Sequence, residues 1–360
     1  MTHHIDARFI VGTGRCGSTI LSKMLNTHPG VCVLSEFLVS LDASRKFGER
    51  DVDGAELAEI CDCGLASTGV FKKIVGHLKT PEINFPLEAP PPGVERENYR
   101  DGVYPELILL PLSSVFDDAV VAFDELVEFA RAQPTRKLSQ QLRALFGWMT
   151  QRAGKTVWIE RSGGTLAQLP ELIELFPRAR FLHLHRNPLD VALSMKAHHH
   201  MRLYALQHYG LRTESGLTWD DLDESDLRDD GLMSPRLQEL FDHDVPLEVF
   251  LEDWNEMVIR GFTSLKKLSA DQYGEVAFED LLADPKRVLG QIADFFDLPS
   301  DAAWMDDAAS LLTPGKAGKA TPSPDQQALI SQHCHAALVL LERESSDPSS
   351  GADARGATTS

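Results

Sequence analysis

Residues 12–19 read Gly12-Thr13-Gly14-Arg15-Cys16-Gly17-Ser18-Thr19, and the fold is decided by what surrounds this octet. A short apolar run, Ala7–Val11, precedes it. A helical pattern with Ile20, Leu21, Met24 and Leu25 on one face follows it. A glycine-rich turn between a strand and a helix aims backbone N–H groups and a helix N-terminus at one point, which makes an anion site. Gly14, Arg15, Cys16, Gly17, Ser18 and Thr19 are its candidate binding residues. The spacing matches a Walker A loop, GxxxxGK[ST], except that Ser18 stands where the lysine belongs. A triphosphate-cleaving loop uses that lysine on the β- and γ-phosphates, so hydrolysis of ATP or GTP is disfavoured. The cation here is Arg15, three residues earlier.

Outward from the octet, the pattern stays α/β. Asn26–Gly30 stops the first helix, and Val31–Leu34 is a second strand with Ser35-Glu36 just past its end. Thr156–Ile159 is a further strand leading into Glu160-Arg161-Ser162-Gly163-Gly164, and Arg180–His185 is another. Arg186-Asn187-Pro188 then opens a helix carrying Ser194, with the proline in the first turn where its missing N–H does no harm. Later come a helix near Leu247–Leu268, a strand Tyr273–Phe278, and helices over Glu279–Phe296 and 325–343. Strands alternating with helices predict a P-loop-type central parallel sheet flanked by helices. Residues 1–343 read as one domain with insertions at about 80–111 and 201–247, and residues 344–360 as a disordered polar tail. The first insertion holds Pro81, Pro86, Pro90, Pro91, Pro92, Pro105 and Pro111, a density that predicts an irregular surface excursion. Residues 213–230 carry eight acids against one arginine and read as a solvated loop.

Composition narrows the chemistry. The chain has 360 residues and a formal net charge of −19, which argues against nucleic acid or sulfated polyanions as partners. An anionic ligand must therefore be held by a few local cations. No apolar run reaches the roughly 18–20 residues that span a bilayer, and no leader is evident, so a cytoplasmic location is expected. The five cysteines, Cys16, Cys32, Cys61, Cys63 and Cys334, are too scattered for a disulfide framework.

The second constellation is Arg186 with Ser194. A guanidinium at a strand's C-terminal end and a hydroxyl on the following helix can grip one phosphate. In a parallel sheet the strand C-termini share an edge, so this pair and the Arg15 loop face one crevice. Two separate grips imply a nucleotide phosphorylated at both its 5′ and 3′ positions.

With those residues in view, the sequence resembles the sulfotransferases that use 3′-phosphoadenosine 5′-phosphosulfate (PAPS). GTGRCGSTIL is similar to their 5′-phosphosulfate loop, FLHLHRNPLDVALSM to their 3′-phosphate motif, and VAFEDLLADPKRVLGQIADFFDLP to a later stretch of the same family. The pattern is nearest to bacterial carbohydrate-type and tyrosylprotein-type members, and it covers about residues 7–36, 156–196 and 273–330. The resemblance implies that Arg15, Gly17, Ser18 and Thr19 hold the 5′-phosphosulfate, and Arg186 and Ser194 the 3′-phosphate. It implies that Glu36 is the base and that Arg161 stands where relatives carry a basic residue, usually lysine. Lys316 and Lys319 fall near where relatives close over the nucleotide. The implied reaction is in-line transfer of a sulfonate to a hydroxyl or amine of a small-molecule, carbohydrate or lipid acceptor, with no metal required. As a solvent-accessible base, Glu36 should be replaceable by glutamine with little change in stability. His183, His185 and the His198–His200 run read as packed or surface histidines. A kinase-like phosphotransferase and a nucleotide-binding protein without turnover stand as alternative readings. The acceptor's identity and the oligomeric state are not encoded in these motifs.

Overall fold

The computed structural model describes residues 7–62, 85, 104–226, 234–312 and 321–345. Seven strands are β1 (Arg8–Val11), β2 (Val31–Ser35), β3 (Asp51–Val52), β4 (Arg136–Lys137), β5 (Val157–Arg161), β6 (Arg180–His185) and β7 (Tyr273–Ala277). Five of them form one sheet in the order β2-β5-β1-β6-β7, and every pairing in it is parallel. β3 and β4 make a separate antiparallel ribbon that the sequence patterning does not announce. Around the sheet lie α1 (Ser18–Asn26), α2 (Gly54–Cys61), α3 (Ala119–Arg131), α4 (Leu138–Arg152), α5 (Leu169–Leu175) and α6 (Pro188–Lys196). They are followed by α7 (His199–His208), α8 (Pro235–Asp242), α9 (Leu247–Leu265), α10 (Phe278–Ala283), α11 (Pro285–Phe296), α12 (Ala302–Ser310), α13 (Pro324–His333) and α14 (His335–Ser345). Among the described residues no helix is long and apolar enough to cross a membrane.

The strands alternate between two cores, as a sheet covered on both faces requires. Phe9, Val11, Cys32, Leu34 and Phe181 face one core, filled by helices such as α4 and α9. Ile10, Val31, Val33, Ile159, Leu182 and Leu184 face the other, against α1, α11 and α12. Strand order places β1 at the centre, between β5 and β6. The loop after β1 is therefore flanked by the end of β5, which carries Arg161, and the end of β6, which leads into Arg186.

Several elements differ from the patterning. The stretch 279–296 is two helices, because Pro285 has no N–H to continue the first and Asp284 caps the second by accepting from Arg287 N at 3.2 Å. The last helical stretch is also two, parted at the buried Cys334. α12 goes unread in the sequence, although Asp301 caps it by accepting from Trp304 N at 2.8 Å. The end of the proline-rich insertion is not a surface excursion. Residues Ile108–Leu112 form one wide helical turn, closed by Ser113 N donating to Ile108 O at 3.3 Å, with Leu107, Ile108, Leu109 and Leu112 buried. The acidic segment is held through residue 226: Trp219 is buried, and buried Asp226 accepts from Ser234 Oγ at 2.5 Å and pairs with Arg236. Its last residues, most of the proline-rich insertion, Cys63 and the polar tail lie outside the described residues.

Phe9 is the aromatic centre of the first core, fully buried with ring centroids 5.0 Å from Phe176, 5.3 Å from Phe181 and 5.9 Å from Trp158. Phe9→Ala leaves a void that this tightly tied strand cannot collapse around. The expected loss is about 3–5 kcal/mol, read as a lower urea midpoint. An unchanged midpoint would show that the aromatic cluster is not what secures β1.

Candidate active site

The octet forms the turn between β1 and α1. Gly14 (φ 77°), Arg15 (φ 50°) and Gly17 (φ 93°) all adopt the left-handed region. For glycine that is inexpensive; for Arg15 it is a strained backbone held by its surroundings. Gly17 caps α1 without any side-chain acceptor, so the first amides of the helix are left to an anion. Position 17 has a second reason to be glycine. A Cβ there would lie 2.2 Å from the Phe278 ring, which packs directly on the loop. The Cys16 side chain turns into the apolar core beside Gly12, and burial pushes its thiol well above the usual range. It is an inert spacer whose contribution to the loop is backbone.

The two expected phosphate grips meet. Arg15 Nε donates to Ser194 Oγ at 3.1 Å, and Arg186 Nη1 reaches Arg15 O at 3.4 Å. Arg186 also faces Asp190 at 3.5 Å and lies over the Phe278 ring, 5.1 Å from its centroid. That ring orients the guanidinium from one side while the loop backbone holds it from the other.

Glu36 stands past β2, also in the left-handed region at φ 61°. Its backbone is fixed on both sides. Its N–H continues the sheet to Arg161 O at 2.7 Å, and its carbonyl accepts from Ser40 Oγ at 2.6 Å. Its side chain pairs with Arg161 Nη1 and accepts from Gly163 N at 2.8 Å. Arg161 is almost wholly buried, and its Nε donates to Ser22 Oγ on α1 at 2.9 Å. Gly163 lies directly against the carboxylate, where a Cβ would be in ordinary contact at 3.6 Å from Glu36 Oε2.

Glu160, Ser22, Gly163 and Phe278 belong to this arrangement but were not singled out from the sequence. Glu160 is fully buried on β5. Its Oε1 accepts from Leu38 N at 3.2 Å and from the Ser162 hydroxyl, while Oε2 has no partner among the described residues. It therefore ties the chain just after Glu36 to the chain just before Gly163. Burial, partly countered by the Ser162 hydroxyl and Leu38 N–H, pushes its carboxyl up to about 7. The one available signal was a charged residue at an inward position of a central strand.

The remaining histidines take no part. His183 is buried with neither ring nitrogen bonded, and burial, reinforced by neighbouring His185, lowers it to about 3. His185 pairs with Glu275 at 3.0 Å. His198 and His200 stack edge to face at 5.4 Å, and His199 meets Arg202 at 2.9 Å. Lys316 and Lys319 lie outside the described residues.

A cleft of about 180 Å³ opens beside the octet, with Thr19, Ser22, Glu36 and Arg161 in its wall. Residues 112–230 match the family model of the sulfotransferases, a segment holding β5, β6, Arg161, Arg186 and Ser194. Over that segment the chain is similar to the sulfotransferase family. Solved structures similar to this chain include the sulfotransferase domain from the curacin biosynthetic pathway, at 16% identity and TM-score 0.45 over 92% of this chain and 98% of that one. A sulfotransferase from Mycobacterium avium aligns at 12% and 0.44 over 94% and 76%, and one from Alicyclobacillus acidocaldarius at 15% and 0.39 over 95% and 96%. No curated protein matches the sequence.

Glu160 gives this protein a testable pH signature. A carboxyl raised in the folded state keeps its proton there while the unfolded chain releases it. Stability is then full below about pH 4.5 and falls as pH rises toward 7. His183 acts in the opposite sense over part of that window, so the test is a difference. Glu160→Gln keeps the Oε1 acceptor and removes the ionisation. Relative to the variant, the wild type should lose on the order of 3 kcal/mol between pH 4.5 and 7, measured by denaturant unfolding. Parallel curves would mean that Glu160 titrates alike in the folded and unfolded chain, so that burial does not raise it.

Proposed function

We propose that this protein is a sulfotransferase that takes its sulfonate from PAPS and passes it to a hydroxyl or amine of a small-molecule, carbohydrate or lipid acceptor, with Glu36 as the base. The observation that carries this reading is the junction of the two grips, Arg15 on Ser194 and Arg186 on the loop carbonyl of Arg15. A triphosphate needs one run of phosphate contacts. A nucleotide with groups at its 5′ and 3′ positions needs two grips side by side, which is what this edge offers.

The residues present fit such a co-substrate. The uncapped start of α1 and the turn amides suit a 5′-phosphosulfate, and Arg186 with Ser194 suits a 3′-phosphate. During transfer the acceptor oxygen forms its bond to sulfur as the bond from sulfur to the bridging phosphate oxygen breaks. Arg15 and the loop N–H groups stabilise the negative charge that grows on that leaving oxygen. Glu36 takes the acceptor's proton. Two of its roughly four lone-pair positions are engaged by Arg161 and Gly163, leaving others for the proton. Arg161 and the Gly163 amide hold the carboxylate in the wall of the cleft.

Two measurements test this. By calorimetry in EDTA, adenosine 3′,5′-bisphosphate should bind and ATP should compete poorly. Arg186→Ala should weaken the bisphosphate more than Ser194→Ala, because a charge-assisted contact is about twice as strong as a neutral one. Tight ATP binding with indifference to the bisphosphate would overturn the donor assignment.

Glu36→Gln should retain the nucleotide and lose single-turnover rate by about 10²–10⁴. The expectation of unchanged stability does not survive the structure. Glutamine has one oxygen for the two contacts and leaves the buried Arg161 charge uncompensated, a change of about 3–5 kcal/mol for a broken buried pair. Rates must therefore be compared well below the variant's melting temperature. Normal turnover in the folded variant would falsify the base assignment.

A further inference from the structure

The cleft beside the octet has walls of unusual uniformity. On α1, Thr19, Lys23 and Asn26 all line it at spacings that put them on one helical face. Ser113 and Ser114, just after the buried helical turn of residues 108–112, also line it. Glu36 and Arg161 complete the polar lining, in which Leu110 is the sole apolar side chain.

The hydrogen-bonding state of these groups is specific. Ser113 donates its hydroxyl proton to Leu109 O at 2.8 Å, and Ser114 donates to Pro111 O at 2.7 Å. With those protons committed, the two hydroxyls have only lone pairs to offer. Asn26 is the reverse. Its Oδ1 accepts from Val33 N at 2.8 Å, so its amide N–H groups remain. Lys23 is exposed, adds an ammonium and has no ion-pair partner among the described residues. The two serines after the turn thus accept while Lys23 and Asn26 donate, in one cleft that Thr19 and Glu36 also line.

We infer that this cleft is the acceptor subsite and that it takes a polyhydroxylated, sugar-like unit; the inference rests on the sulfonate-transfer reading above. A vicinal polyol is a donor and an acceptor at every hydroxyl, so it satisfies both sets of groups at once. A sterol or long-chain alcohol brings one hydroxyl and would leave most of the half-buried Asn26 amide and the serine lone pairs without a ligand partner. Sites built to hydrogen-bond a ligand reject analogues lacking those groups strongly. At about 180 Å³ the cleft is smaller than the roughly 300–1,000 Å³ of sites for drug-sized ligands. It seats one ring, with any remainder of the acceptor outside.

The test separates binding from turnover. A panel of methyl glycosides of common monosaccharides, with cholesterol and 1-decanol as apolar controls, is offered to the protein loaded with adenosine 3′,5′-bisphosphate. Binding is read by saturation-transfer NMR, and sulfonate transfer from PAPS by mass spectrometry. At least one glycoside should bind and be sulfonated, while the apolar alcohols do neither. Lys23→Ala, at an exposed position that tolerates it, and Ser114→Ala should each raise the glycoside KM about 3–10-fold while leaving bisphosphate affinity unchanged. Binding of the apolar alcohols and not the glycosides overturns the inference, as does glycoside binding indifferent to both variants or no glycoside binding at all. Glycoside binding that follows these variants in a protein that ignores the bisphosphate would sustain the cleft and overturn the donor reading instead.

Discussion

The site depends on a single buried ion pair, Arg161 with Glu36. Removing two charges from water is expensive, and a buried pair persists only when its other hydrogen-bonding groups are also satisfied. Here they are. Arg161 reaches Ser22 on α1, Glu36 takes the Gly163 amide, and the two backbones are joined by Glu36 N on Arg161 O. The pair thus locks together the start of α1, the end of β2 and the end of β5. It also explains how Glu36 holds a left-handed backbone, a conformation a glutamate adopts only under constraint.

Glu160 supports that lock from below. It is unusual to find a carboxyl fully buried with one oxygen unpartnered, and burial raises it to about 7. Its bonded oxygen draws the two segments that frame Glu36 toward each other. Near neutrality its ionisation would add negative charge next to the Glu36–Arg161 pair. Glu36 and Glu160 are therefore electrostatically linked.

The global charge of −19 is offset locally at this edge. Arg15 follows β1, Arg161 ends β5 and Arg186 follows β6; they converge because β5, β1 and β6 are adjacent, although Arg15 is more than a hundred residues from the other two. Phe278, at the start of α10, closes the arrangement by stacking under Arg186 and covering Gly17. The negative net charge is thus compatible with the anionic co-substrate proposed above, since charges within the crevice act over a few ångströms and the remote ones are screened.

Much of this was written in local sequence. The octet with its flanking periodicities specified strand, phosphate loop and helix, because glycine conformations and apolar spacing are properties of short segments. Arg186 with Ser194, and Glu36 after β2, were legible for the same reason: each sits at a fixed distance from a strand end. Other features were decided by tertiary structure alone. Nothing within Val157–Arg161 says that Arg161 will be buried against Glu36 or that Glu160 will bond across to Leu38, since both partners come from the turn after β2, more than a hundred residues away. Phe278 read as the end of a strand, and only the packing of α10 against the octet gives its ring a role. The buried turn at 108–112 and the serines that follow it looked like part of a proline-rich surface loop. Their burial depends on apolar surface supplied by distant helices, and hydrophobic burial is set by the whole chain's packing rather than by any one segment's propensity.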